Sequence, residues 1–127
     1  MSFSGKYELL SRENFEQFMK AIEVPDQMIQ KYKAMKSITE ISQNENHFDC
    51  KVTTGDDVVN NVFTIGQETE FVTVAGMKVK SVANFDGPNK IVVKLDAVTL
   101  VTEVNEDKLI DKISVGNITY TRISKRI

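Results

Sequence analysis

The sequence holds one cysteine, Cys50, and one histidine, His47, in 127 residues. A single thiol cannot close an internal disulfide, and it suits a reducing compartment. Together the two residues fall short of any zinc site of the usual His and Cys types, so neither a metal nor another cofactor is expected. Surplus positive charge is missing as well, because 16 basic side chains face 18 acidic ones. Nucleic-acid binding wants a basic excess on one face, and here Lys and Arg are interspersed with acids, so no nucleic-acid partner is expected. Long apolar runs are also absent. The stretch from Met1 to Tyr7 carries Ser, Gly and Lys in place of a secretory core, and no segment approaches the ~18 apolar residues of a membrane-spanning helix. These absences predict a cytoplasmic protein whose residues 1–127 make one domain.

What is present falls into two patterns. Phe3–Leu9 reads as a strand, after which Phe15, Phe18, Met19 and Ile22 stand at i, i+3, i+4 and i+7, the stripe of a helix. Asn14 with Gln17 fits a capping box at its start. Pro25 followed by Asp26 suits the first turn of a second helix, with Met28, Ile29, Tyr32 and Met35 as its stripe. Two short helices bury little alone, so they must cap something larger. From Ser37 onward turn signals recur every eight to twelve residues, at Asn44–Asn46, Gly55–Asp57, Gly66, Ala75–Gly76, Asp86–Asn89, Asp96–Ala97, Asn105–Asp107 and Gly116–Asn117. Nine strands after the helices and one before them predict an all-β fold. Closing ten antiparallel strands into an up-and-down barrel is the simplest way to remove two edges.

Taking the more apolar parity of each strand gives the inward-facing set. It includes Thr39 and Ile41; Phe48, Cys50 and Val52; Val59, Asn61 and Phe63; Val79, Ser81, Ala83 and Phe85. It goes on through Ile91, Val93 and Leu95; Val98, Leu100, Thr102 and Val104; Leu109, Asp111 and Ile113; and Ile118, Tyr120, Arg122 and Ser124. Ten strands leave more interior room than the eight that hold one small ligand, so the barrel is predicted to be a container. Arg122 is its sharpest feature. A guanidinium inside an oily wall needs a partner, and a ligand carboxylate supplies one through charge-assisted hydrogen bonds. Cys50 reads as a small lining residue. His47 has no serine or cysteine placed beside it by any motif, and an esterase would also need an oxyanion hole, so no enzyme is expected. The lysines of the helices are nearly cancelled by Glu13, Glu16, Glu23 and Asp26, which predicts at most weak contact with a membrane surface.

The segment Gly5-Lys6-Tyr7-Glu8-Leu9, followed by Asn14-Phe15-Glu16-Gln17-Phe18-Met19, resembles the N-terminal signature of the cytosolic fatty-acid-binding proteins. The ending Arg122-Ile123-Ser124-Lys125-Arg126 resembles their liver-type branch. The resemblance runs end to end. It implies a ten-stranded clam-like barrel with a two-helix lid between the first and second strands, a monomer that carries long-chain fatty acids, with acyl-CoA and bile acids as further candidates. It also implies that Ser124 and Thr39 donate hydroxyls to the carboxylate held by Arg122. Polar ligand contacts are therefore expected from Arg122, Ser124, Thr39, Asp111 and Thr102. The apolar lining is expected from Phe18, Ile41, Cys50, Val52, Phe63, Val93, Leu100, Ile113 and Tyr120. Three departures stand out. Many members of the family hold the carboxylate with an Arg-x-Tyr motif, whereas this chain has Ser124 after Arg122 and Ile123, which favours the liver-type or bile-acid-binding branches. Asp111 stands where liver-type members commonly have an amide, on the strand paired with that of Arg122, so an internal ion pair is expected to compete with an incoming carboxylate. Leu100 also replaces an often polar position, which reduces the inner polar network.

Overall fold

Period-two alternation carries the chain through ten strands in the computed structural model, which describes residues 3–72, 78–95 and 97–127. Strand β1 (Gly5–Glu13) leads into helices α1 (Phe15–Ala21) and α2 (Asp26–Lys33). Then come β2 (Ser37–Asn44), β3 (His47–Thr54), β4 (Asp57–Thr64), β5 (Glu68–Val72) and β6 (Lys78–Phe85). The meander ends with β7 (Lys90–Leu95), β8 (Val98–Asn105), β9 (Lys108–Val115) and β10 (Ile118–Arg126). All pairings are antiparallel, and β10 returns to β1, giving the order β4-β3-β2-β1-β10-β9-β8-β7-β6-β5. The predicted strand count and the two helices after β1 are thus observed. Of the predicted turns, Ala75–Gly76 and Asp96 lie outside the described residues.

The ends of this order, β4 and β5, meet without ladder pairing among the described residues, so closure is nearly complete instead of continuous. Asn61 spans the gap: its Oδ1 accepts the Val72 N–H at 2.8 Å and its Nδ2 donates to the Val72 carbonyl at 3.1 Å. A carboxamide carries the same donor and acceptor as a peptide group, so one side chain replaces one missing rung of the ladder.

Strand β1 extends past Leu9, where the sequence pattern had ended it, because a bulge between Leu9 and Ser11 resets the alternation. Leu10 is thrown outward and is 54% exposed. One extra residue flips the parity of everything after it, and Arg12 comes to stand opposite Arg122 on the inner face.

The lid shows local corrections too. Asn14 adopts a left-handed conformation (φ 61) and makes no side-chain cap bond; its Nδ2 donates instead to the Thr119 carbonyl at 3.0 Å and pins the start of α1 to β10. Pro25 is the residue before α2, and its carbonyl accepts the N–H groups of Met28 and Ile29. Ile29 is fully buried while its neighbour Met28 is exposed, and Met35 lies beyond the end of the helix. Both deviations follow from the two-turn length of α2, which lets a single position face the barrel.

Two apolar clusters fill the molecule. One, inside the barrel, includes Phe3, Phe48, Phe63, Val93 and Leu109; Phe48 and Phe63 stack at 5.2 Å between centroids. Phe85 was expected inside, yet it is 38% exposed, lying at the end of β6 with its ring edge-on to Phe48. The other cluster joins the lid to the wall: Phe15 and Phe18 pack at 5.5 and 5.7 Å from Tyr120, with Met19, Ile29 and Ile113 around them.

Candidate functional site

Between the two clusters runs a row of polar side chains. Strand register aligns Thr102 of β8 with Asp111 of β9, Asp111 with Arg122 of β10, and Arg122 with Arg12 of β1. Residues directly opposite in antiparallel strands share a face, so all four project to the inside. In β9 Asp111 stands between Leu109 of the barrel cluster and Ile113 of the lid cluster, which sets the row at the boundary of the two.

Asp111 is 4% exposed and fully engaged. Its Oδ2 accepts Nε–H and Nη2–H of Arg122 at 3.2 and 2.8 Å, and its Oδ1 accepts the Thr102 hydroxyl at 2.7 Å. The internal ion pair expected from the sequence is therefore present. Burial alone would lower the guanidinium pKa, but the Asp111 carboxylate, the Tyr120 phenol and the hydrogen bond to Asp111 together raise it. Arg122 thus stays charged while its Nη1 has no hydrogen-bond partner among the described residues. Tyr120 is buried and its phenol is pushed up by desolvation, which outweighs the pull of Arg122 and Arg12.

Ser124 and Thr39, at 2% and 5% exposure, also face inward, as predicted. Neither is hydrogen-bonded to the ion pair; Ser124 lies one inward position along β10 from Arg122, and Thr39 pairs across from Tyr7. Of the predicted lining, Ile41, Phe63 and Val93 are buried in the barrel cluster, while Phe18, Ile113 and Tyr120 belong to the lid cluster. Cys50, Leu100 and Thr102 point inward from strands flanked on both sides, yet they are only half-buried. Leu100 packs against both clusters and Val52 is half-buried on β3. The Cys50 thiol is pushed up to about 12 by burial, with the fields of Asp111 and Asp49 adding to it. His47 contacts the Thr64 hydroxyl at 2.9 Å on the exposed surface, away from this row.

Arg12 is the inner polar residue that sequence reasoning missed. Its Nη1 donates to the Tyr32 carbonyl at 2.9 Å, its Nη2 to the Ser37 hydroxyl at 3.4 Å, and its guanidinium lies 4.9 Å from the Phe15 ring centre. A cation at the last turn of α2 satisfies carbonyls that the helix leaves open. The Leu9-Leu10 doublet, which breaks the alternation of β1, is the one signal that could have announced it.

The family model described as lipocalin / cytosolic fatty-acid binding protein matches residues 1–127. Liver fatty acid-binding protein 1 of Ambystoma mexicanum is 55% identical over 99% of this chain and 100% of its own length. The liver fatty acid-binding protein of Sus scrofa is 49% identical, covering 100% of both. Among solved structures, a fatty acid transporter at 31% identity superposes with a TM-score of 0.91, covering 98% of this chain and 95% of the other. A zebrafish ileal bile acid-binding protein complexed with cholic acid, 32% identical, superposes with a TM-score of 0.86 over 98% of each chain.

Proposed function

The chain belongs to the lipocalin / cytosolic fatty-acid-binding protein family, and on that premise we propose that it carries long-chain fatty acids and related amphiphiles inside its barrel and releases them chemically unchanged. The observation that carries this reading is a charged guanidinium with an open Nη1, set in a polar row between two apolar clusters. An amphiphile has the matching division. Its head meets Arg122, Thr102, Ser124 and Thr39 beside Asp111, and its tail lies along Ile41, Cys50, Val52, Phe63, Val93 and Leu100, with Phe18, Ile113 and Tyr120 on the lid side. A hydrogen bond from a charged group contributes about 1.5–3 kcal/mol, so the apolar wall supplies most of the affinity and the row sets orientation.

The rest of the reading is a cytoplasmic monomer with at most weak contact with a membrane surface, and acyl-CoA is a further candidate cargo. Displacement of a fluorescent fatty acid by oleate tests it, together with recovery of a fatty acyl ester after incubation. Binding with an intact ester is expected. No displacement at micromolar oleate, or hydrolysis of the ester, would overturn the carrier reading.

A bile acid is the second reading, favoured by Ser124 in place of a tyrosine after Arg122 and Ile123, and by the likeness to a protein solved with cholic acid. Competition by cholate against oleate separates the two.

A further inference from the structure

We infer that the inner polar row takes long-chain amphiphiles with an uncharged hydroxyl head at least as readily as the corresponding carboxylates, and that Asp111 is the residue that sets this preference. The inference rests on the carrier reading and names the head group that the barrel selects.

The argument begins with charge. Asp111 already accepts two N–H groups of Arg122 and the hydroxyl of Thr102, at 4% exposure. The guanidinium is therefore compensated before any guest arrives. A ligand carboxylate that reached Nη1 of Arg122 would stand within a few ångströms of a second, desolvated carboxylate, where like charges repel with little screening. Arg12, the other cation of the row, spends its fork on the Tyr32 carbonyl and the Ser37 hydroxyl, so its attraction for a guest is through space and not through a direct hydrogen bond. Tyr120 and Cys50, the other titratable groups facing the row, are held in their neutral forms by burial.

Hydrogen-bond chemistry points the same way. A carboxylate only accepts, whereas an alcohol both accepts and donates. The row offers Nη1 of Arg122 and the hydroxyls of Ser124 and Thr39 as donors, with acceptor lone pairs on those same hydroxyls and on Asp111 and Thr102. An alcohol oxygen can accept from Nη1 and donate to one of those oxygens. No charge is brought beside Asp111, and the ion pair need not open.

The test pairs two ligands of identical chain, oleic acid and oleyl alcohol, titrated at neutral pH into the wild-type protein and into Asp111→Asn. In the wild type the alcohol is expected to bind as tightly as the acid or more tightly. In Asp111→Asn the acid should gain on the alcohol by about tenfold, the difference between a charge-assisted and a neutral hydrogen bond. A wild type that binds oleate tenfold more tightly than the alcohol would overturn the inference while leaving the carrier reading intact, and it needs no variant. An acid-to-alcohol ratio unchanged in Asp111→Asn, with the variant's circular dichroism and melting curve native, would equally overturn the role of Asp111. Binding of neither ligand would overturn the carrier reading itself, and this inference with it.

Discussion

Arg122 and Asp111 hold each other in place, and the Asp111 carboxylate does not tolerate the loss of the guanidinium. Leucine at position 122 would leave a carboxylate at 4% exposure with only the Thr102 hydroxyl. Breaking a buried pair on one side costs about 3–5 kcal/mol, so Arg122→Leu should unfold at markedly lower urea, and adding Asp111→Asn should recover most of that loss. Equal midpoints for the single and double variants would mean that the pair carries no stability. Cys50 gives a second prediction. Its folded thiol is pushed up to about 12, whereas an exposed thiol ionises near 9. At pH 8 the native protein should therefore react with a thiol reagent about a thousandfold more slowly than the denatured one, in proportion to thiolate content. The sign for stability follows from proton binding: between pH 9 and 12 the unfolded thiol loses its proton while the folded one keeps it. Stability accordingly falls as pH rises through that window, and Cys50→Ala should remove this part of the slope in alkaline melts.

Elements differ in how firmly they are held. The strands between the ends of the sheet order are bound by ladders on both sides, while α1 and α2, of 7 and 8 residues, are fastened at a few points. Besides Arg12 and Asn14 these are the Lys33–Glu16 ion pair between the helices and the Tyr32 hydroxyl donating to Asp57 of β4 at 2.5 Å. Residues 15–33 should thus exchange their amide protons faster than β8–β10, and Tyr32→Phe should speed them by about fivefold through the loss of one hydrogen bond. Slower exchange in the helices than in the strands would contradict a mobile lid. The seam between β4 and β5 is the other weak element, because Asn61 alone supplies its peptide-like bridge among the described residues. Asn61→Ala leaves the Val72 N–H and carbonyl without that partner, which should cost about 1–3 kcal/mol in denaturant titration and expose the Val72 amide to exchange.

At the scale of the whole molecule, carriage depends on inward residues that the fold leaves half-buried. Cys50 and Leu100 are two of them, so a guest packed against them adds apolar contact. Any ligand that binds only the folded state stabilises it by about 2.7 kcal/mol at a hundred times its Kd. For a chain of 127 residues this amounts to a rise in Tm of about 10 °C. Oleate should produce such a rise at micromolar concentration and cholate a smaller one at equal concentration. The reverse order, read by calorimetry, would favour the bile-acid reading. The near balance of charge leaves cargo exchange governed by the lid and by the interior rather than by long-range attraction of an anion.

Much of this was legible in the sequence. Alternation and turn spacing determined ten strands and two helices, because strand parity and turn chemistry are local properties that each segment carries itself. The inward parity of Thr39, Asp111, Tyr120, Arg122 and Ser124 was determined in the same way, as was the proximity of Asp111 to Arg122, since neighbouring strands joined by a tight turn have little freedom of register. Tertiary structure decided the remainder. The bulge at Leu10, which turns Arg12 inward, answers to pairing with β10 across more than a hundred residues of chain. Asn14 gives up its helix cap for the Thr119 carbonyl of that same distant strand. Asn61 bridges β4 and β5 because barrel curvature leaves a gap that no pattern within either strand can express. In the first two cases the partner is more than a hundred residues away, and in the third it lies across the closure of the barrel, so the competing interaction exists only once the barrel has formed.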